Sequence, residues 1–532
     1  MEHMNTFLTF HNMEFPIKIN SLENYHFGVL EVNTESGPIS NLVWDILFSV
    51  DTSASMTDKC SDYHTKIYHI KHTLKNILRL FSENKNAKFN VCLQTFDNTY
   101  EEMFDFIEIT SENVDKYNCI IDKITPDGST NLKIPLDKSK EKYKKRNKLH
   151  ANNNFVHIIL TDGEDTCKNS FESLVNSVSN EFKNIFIGFG IDHNSKLLEE
   201  FAKNYKNEYK FIDKVESAGI VYGEIIHNIL YAKYINVCIK INNGAIYDWK
   251  KNSWVDELYI DSLCKGLNKT FHIKSKNPKN VYGTITGSIL EDNTSKDMYT
   301  LDNITILDNI IKMPDLINEE DNSIDNINHT KYLYRQKVLE LLYKTKKINF
   351  YKDEIEMKRK LRAFYYDIKK YMTNNRLEND IFWKVMLDDI YISYKTVGTK
   401  YSHMYTNSRQ MSQGRECSWN VGGINYIPEM NTNNRRKFMF PEINSQMDDG
   451  YEELSSSLSN IPLMPPSPKI LPTIKYDYLK NNPNNLSFDD DTQNPFEEFD
   501  DFDDIEHEIS MPTDSPYITQ EILNTMSYTS NY

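Results

Sequence analysis

The run Leu42-Val43-Trp44-Asp45-Ile46-Leu47-Phe48-Ser49-Val50 ends at Asp51-Thr52-Ser53-Ala54-Ser55. A short apolar run bounded by small polar residues reads as a buried strand of a parallel sheet. Its C-terminal end carries one carboxylate and two hydroxyls at alternate positions. All three are hard oxygen donors, too few to fill a metal's coordination shell, so further donors have to come from loops downstream.

The pattern that follows alternates helices with strands. His64 to Phe81 places Ile67, Ile70, Leu74, Ile77, Leu78 and Phe81 on one helical face. Phe89 to Phe96 reads as a strand, with Thr99 to Glu108 returning beside it after Asp97-Asn98. A helix is expected at about 111–122, then the loop Thr125 to Asn131, then a polar helix through the Lys-rich run 138–148. Phe155 to Thr161 is a second buried strand, ending at Asp162-Gly163-Glu164. A helix around 169–182, the strand 184–191, a helix, the short strand 209–212 and a helix at 215–231 complete the unit. Strands alternating with helices imply a doubly wound, mostly parallel α/β sheet whose ligand site lies outside the C-terminal strand ends.

Either side of this unit the period drops to two. Ile235, Val237, Ile239 and Ile241 alternate with polar residues, and Val281 to Leu290 alternates again. The expectation is a β-sandwich over 234–314, with residues 1–40 supplying N-terminal strands and the α/β unit at 42–232 inserted between them. Asp315 to Asn328 reads as a polar linker. Apolar stripes at 330–395, including Leu341, Leu361, Phe364 and Trp383, predict a helical hairpin or small bundle. Residues 401–415 are polar and poor in core residues. Beyond about 430 the chain is rich in Asn, Ser, Pro and Asp, which predicts a disordered acidic tail over 430–532.

Composition removes several function classes. The 532-residue chain carries a net charge of −16, and the stretch Asp489 to Glu508 holds eleven Asp or Glu and no Lys or Arg. A binder of nucleic acid working through a dominant basic field is therefore disfavoured, and the one dense basic run, 138–148, reads as a solvated helix end. Seven scattered cysteines without metal spacing point to reduced thiols and an intracellular, cytoplasmic setting. Neither a signal peptide nor an apolar run of membrane-spanning length is apparent. Enrichment in Asn, Lys, Ile, Asp and Tyr points to an AT-rich genome, such as that of a giant virus. In that case a place in the virion is the alternative setting.

The missing donors are found on two other loops. Gly128-Ser129-Thr130-Asn131 supplies the Thr130 hydroxyl and Leu160-Thr161-Asp162-Gly163 supplies the Asp162 carboxylate. Two carboxylates and three hydroxyls suit Mg²⁺ or Mn²⁺. A phosphatase using a strand-end Asp nucleophile usually needs a second acid two residues on, where this chain has Ser53. His69 and His72 lie i, i+3 but lack a third ligand, and read as solvated helix positions.

Asp51-x-Ser53-x-Ser55, Thr130 and Asp162 together resemble the metal-ion-dependent adhesion site of von Willebrand factor type A domains. The phrases Gly128-Ser129-Thr130-Asn131-Leu132 and Gly188-Phe189-Gly190-Ile191 also look like that family. Ser129 departs from it, standing where a second Gly is common, and removes no ligand. The resemblance implies a non-enzymatic module whose ion keeps one position open for a partner's Asp or Glu. The overall layout is similar to vWA–Hint-type proteins of eukaryotes and giant viruses. Some plant relatives of that layout are RING ubiquitin ligases, but the clustered Cys and His ligands of a RING are missing here. A scaffold role beside an enzyme such as a ubiquitin ligase is the alternative expectation. A further expectation is that the acidic tail presents a carboxylate to the ion from the same chain.

Overall fold

The computed structural model describes residues 4–11, 15–34, 42–60, 62–150, 153–212, 218–290, 306–311, 315–316, 324–348, 351–417, 507, 510 and 515–530. β1 (Met4–Phe10) and β2 (His26–Thr34) pair antiparallel. The α/β unit then runs β3 (Leu42–Asp51), α1 (Lys66–Glu83), β4 (Ala87–Phe96), β5 (Tyr100–Glu108), α2 (Val114–Ile121) and α3 (Lys133–Leu149). It continues with β6 (Asn154–Thr161), α4 (Phe171–Ser177), β7 (Lys183–Phe189), α5 (Ser195–Phe201), β8 (Glu208–Ile212) and α6 (Ala218–Leu230).

The strand order is β5-β4-β3-β6-β7-β8, parallel throughout except for β5, which returns antiparallel along β4. β3 has neighbours on both edges and is buried at every position but Val43, which is why its sequence is nearly all apolar. One face of the sheet packs on α1 and α6 through Ile46, Phe48 and Val50 with Ile70, Leu74 and Ile225. The other face packs on α3, α4 and α5 through Ile159 and Phe186 with Leu136, Leu174 and Leu198. The chain leaves β3 to one side for β4 and later returns to its other side as β6. The crevice of such a sheet opens at that reversal, outside the C-terminal ends of β3 and β6.

The remaining strands are β9 (Ala232–Asn242), β10 (Ala245–Asp248), β11 (Ser253–Val255), β12 (Glu257–Cys264), β13 (Asn268–Ser275), β14 (Tyr282–Ile289), β15 (Ile306–Ile311) and β16 (Asp315–Leu316). They form two sheets with β1 and β2, in the orders β11-β10-β13-β2-β1-β16 and β12-β9-β14-β15. β2 pairs from His26 to Asn33 with β13, so strands from before and after the α/β unit share one sheet. Leu8, Leu30 and Val32 of that sheet join Val237, Ile239 and Ile285 of the other in a single apolar cluster. The expected linker at 315–328 is corrected at both ends. Asp315 pairs with Thr9, and a helix starts at Ile324.

Four helices follow: α7 (Ile324–Thr345), α8 (Tyr351–Asn375), α9 (Ile381–Thr396) and α10 (Ser402–Arg415). The polar stretch expected to lack a core role is α10, and it is buried from Met404 to Gln413. Partners from elsewhere make that burial tolerable. The Gln413 amide donates to Asp389 Oδ2 at 2.8 Å, Gln410 to Trp249 O at 2.8 Å, and Lys346 Nζ to Asn407 Oδ1 at 3.1 Å.

The far end of the expected disordered tail is also corrected. Residues Gln520–Ser530 form α11, packed on α6 and α1. Ile522 and Met526, one helical turn apart, are buried. Gly219 and Gly223 of α6 leave room for the approach: a Cβ on Gly223 would strike Met526 backbone, and one on Gly219 would meet Thr529 O at 2.7 Å. Thr529 Oγ1 donates to Gly219 O at 2.5 Å, and its carbonyl accepts from Asn76 Nδ2 at 3.2 Å. The Pro-rich stretch and the acidic run up to 506 lie outside the described residues.

Two smaller expectations are revised. The basic run is not merely solvated: Arg146 Nε reaches the buried Asp45 carboxylate at 2.7 Å, and Lys142 pairs with Glu102 and Asp105. His69 is buried, its Nε2 lying 3.2 Å from Asp62 Oδ1, because α1 is covered over more than its apolar stripe. None of the seven cysteines is in a disulfide. Among the described residues, no helix is long and apolar enough to cross a membrane.

Candidate metal centre

Asp51 is the last residue of β3 and Thr161 the last of β6, so adjacent strands deliver their C-terminal residues to one point. The Asp51 side chain is fully buried. Its Oδ1 accepts from Ser53 N at 2.9 Å and its Oδ2 from Thr161 Oγ1 at 2.6 Å. These contacts fix the carboxylate's plane, and the first of them bends the chain sharply after the strand. The turn at 54–57 then brings the Ser55 hydroxyl to 3.1 Å from Ser53 Oγ and 2.8 Å from Asp162 Oδ1.

The third loop is tied to the first. Asp127 N donates to Thr52 O at 2.7 Å, and Ala54 N donates to Gly128 O at 3.1 Å. Gly128 sits at φ +84°, and a side chain there would collide with Asn98 and Asp97. Only glycine meets both conditions without strain. The loop after β6 wraps the same segment. Thr166 N and Oγ1 both donate to Thr130 O, at 2.9 and 3.1 Å, and Asp165 Oδ2 accepts from Leu132 N at 3.0 Å. This places the buried Thr130 hydroxyl against Gly163, where an added Cβ would lie 3.0 Å from Oγ1.

All five residues singled out from the sequence, Asp51, Ser53, Ser55, Thr130 and Asp162, therefore stand on three loops at one end of the sheet. The Ser53, Ser55 and Asp162 oxygens are linked by hydrogen bonds of 3.1 and 2.8 Å, separations that a small cation with bonds of ~2.1 Å could also span in place of those hydrogen bonds. Donor chemistry and spacing thus fit a small, hard divalent cation. Among the described residues no three or more His, Cys, Asp and Glu are gathered for a metal. The set here has only two carboxylates and relies on hydroxyls for the rest.

Electrostatics point the same way. Burial pushes the Asp51 carboxyl up to about 6, with the negative Asp162 adding to the rise and the Thr161 and Ser53 hydrogen bonds only partly opposing it. A cation at this point would favour the ionised form. Three contributors were not legible in the sequence. Thr161 and Asp165 act through ligand loops, and Lys66, the first residue of α1, puts Nζ 2.6 Å from Asp162 Oδ2 and 3.2 Å from Asp58 Oδ2. Burial alone would lower the Lys66 ammonium's pKa, but Asp162 and Asp58 outweigh it and hold the value above its ordinary range.

Residues 45–221 match the family model of the von Willebrand factor type A domain. Similar solved structures include a von Willebrand factor type A protein from Catenulispora acidiphila, at 12% identity over 72% of this chain and 89% of that one, with a TM-score of 0.46. The ArnB paralog VWA2 from Sulfolobus acidocaldarius is 13% identical over 77% of this chain and 97% of that one, with a TM-score of 0.43. Proximal thread matrix protein 1 from the mussel byssus, with zinc occupying its MIDAS motif, is 19% identical over 36% of this chain and 46% of that one, with a TM-score of 0.28. No curated protein matches the chain.

Proposed function

We propose that this protein is a non-enzymatic, Mg²⁺-dependent protein-binding module on an intracellular scaffold. Asp51, Ser53, Ser55, Thr130 and Asp162 would hold the ion. Once bound, the ion supplies an electrophilic position for a carboxylate oxygen from a partner's Asp or Glu. The observation that carries this reading is the convergence of Ser53, Ser55 and Asp162 oxygens, within hydrogen-bond distance of one another, beside the buried Asp51. The roles of the chain's own residues follow. Thr161 and the Ser53 amide orient Asp51, Ser55 bridges the loop after β3 to the loop after β6, and the 128–131 segment positions Thr130. A hydrolytic reading lacks support, since the position two residues after Asp51 is the neutral Ser53. The two sheets sharing one apolar cluster support reading residues 1–40 and 234–314 as a single sandwich around the inserted domain.

The test is capture of partners by wild type and by Asp51→Ala, each with Mg²⁺ and with EDTA. Partners retained only by wild type with Mg²⁺ are expected, and partners that survive both changes would sink the reading. An internal deletion of 485–506 asks whether the acidic run competes for the ion from the same chain. It spares α11, which a deletion through 532 would remove from the fold.

A further inference from the structure

Lys66 occupies a position that a merely solvated lysine would not take. Its backbone N donates to Asp58 O at 3.0 Å, Lys59 and Thr65 form an antiparallel bridge, and the Thr65 hydroxyl caps α1 by accepting from Tyr68 N at 3.3 Å. The start of the helix is thus pinned to the first ligand loop. The side chain is 16% exposed, while that of Asp162 is not exposed at all. Asp162 divides its two oxygens: Oδ1 faces Ser55, within the proposed ligand set, and Oδ2 faces the ammonium. Asp58, on the solvent side, gives the ammonium a second anchor.

We infer that Lys66 is a tethered counter-cation that sets the charge of the metal centre and thereby makes it select an anionic partner group. The inference rests on the metal-dependent reading above. Asp51 and Asp162 set two negative charges against the ion's two positive ones, and the Lys66 ammonium, shared with the exposed Asp58, adds positive charge at the edge of the set. With the ion bound, that charge favours a partner carboxylate over a neutral amide or water. Without Lys66 the attraction for a partner carboxylate would be weaker. The same ammonium opposes entry of the ion, so Lys66 trades metal affinity for carboxylate preference. Like charges a few ångströms apart at the protein surface repel by several-fold RT, enough to make both effects measurable.

The test uses the full chain and two probes, Mn²⁺ alone and then acetate. Mn²⁺ affinity is read by electron paramagnetic resonance, and acetate entry by the loss of water-proton relaxation enhancement. In Lys66→Gln, Mn²⁺ affinity is expected to rise at least about tenfold and the acetate concentration for half-displacement to rise several-fold. Lys66→Arg, which keeps the charge, should resemble wild type in both. Opposite signs for the two probes mark an effect of charge, which loss of structure would not produce. Mn²⁺ and acetate affinities unchanged in Lys66→Gln would overturn the inference, as would a parallel fall of both. A wild type that shows no Asp51-dependent Mn²⁺ binding would overturn the metal reading itself and this inference with it. Intact Asp51-dependent binding with no response to Lys66→Gln leaves the metal reading standing.

Discussion

Two regions of the molecule bury polar side chains, and they do so in opposite ways. In α10 the chain supplies complementary partners. Gln413 meets Asp389, Asn407 meets Lys346, and the Glu416 carboxylate just past the helix meets Arg335 and the Thr270 amide. At the ends of β3 and β6 the chain instead brings oxygens to oxygens. Carboxylates and hydroxyls crowd one point with a single ammonium at its edge. A buried polar group that finds its complement within the chain serves the fold. A cluster of carboxylates and hydroxyls at converging strand ends, though each carboxylate oxygen accepts from within the chain, has the hard-oxygen chemistry that suits a cation arriving from outside.

Breaking one region should leave the other intact. The largest expected effect is on the α10 side. Arg335→Met removes the cation from the buried Glu416 and should cost about 3–5 kcal/mol of stability, read as a lower urea midpoint. Mn²⁺ affinity should not change; a parallel loss would mean that the regions are coupled. Thr161→Val acts in the other direction. It deletes the hydroxyl that orients Asp51 and should weaken Mn²⁺ binding about 10–100-fold, seen in a metal titration. The smallest effect concerns pH. Burial would raise the Glu199 carboxyl, but His403 and Lys346 outweigh it and hold it down to about 2, against an ordinary 4.5. A depressed carboxylate contributes stability that is fully present above pH 4.5 and is lost as pH falls toward 2. Wild type should therefore lose more of its urea midpoint over that interval than Glu199→Gln does, and equal slopes would show that the contact contributes nothing.

The same contrast explains what was legible in the sequence. The proximity of the five proposed ligands could be read because strand-end residues lie next to their strands. Asp51, Ser53 and Ser55 follow one apolar run, Asp162 follows another, and Thr130 sits in a Gly-marked loop. α10 could not be read, because its polarity signals exposure unless Asp389, Lys346 and Trp249 are known to face it, and none is a sequence neighbour. α11 was hidden for a related reason. Ile522 and Met526 make too short a stripe to predict a buried helix without the groove that Gly219 and Gly223 open on α6. Lys66 was invisible as a contributor, since its reach to Asp162 depends on where α1 begins.

The central claim is that the strand-end oxygens hold one divalent cation through Asp51. A Mn²⁺ titration of the full chain, followed by electron paramagnetic resonance, tests it most directly. Wild type should bind one equivalent that Mg²⁺ displaces, and Asp51→Ala, folded by the same circular dichroism spectrum, should bind none. The same stoichiometry and affinity in both proteins, or no binding to wild type, would contradict it.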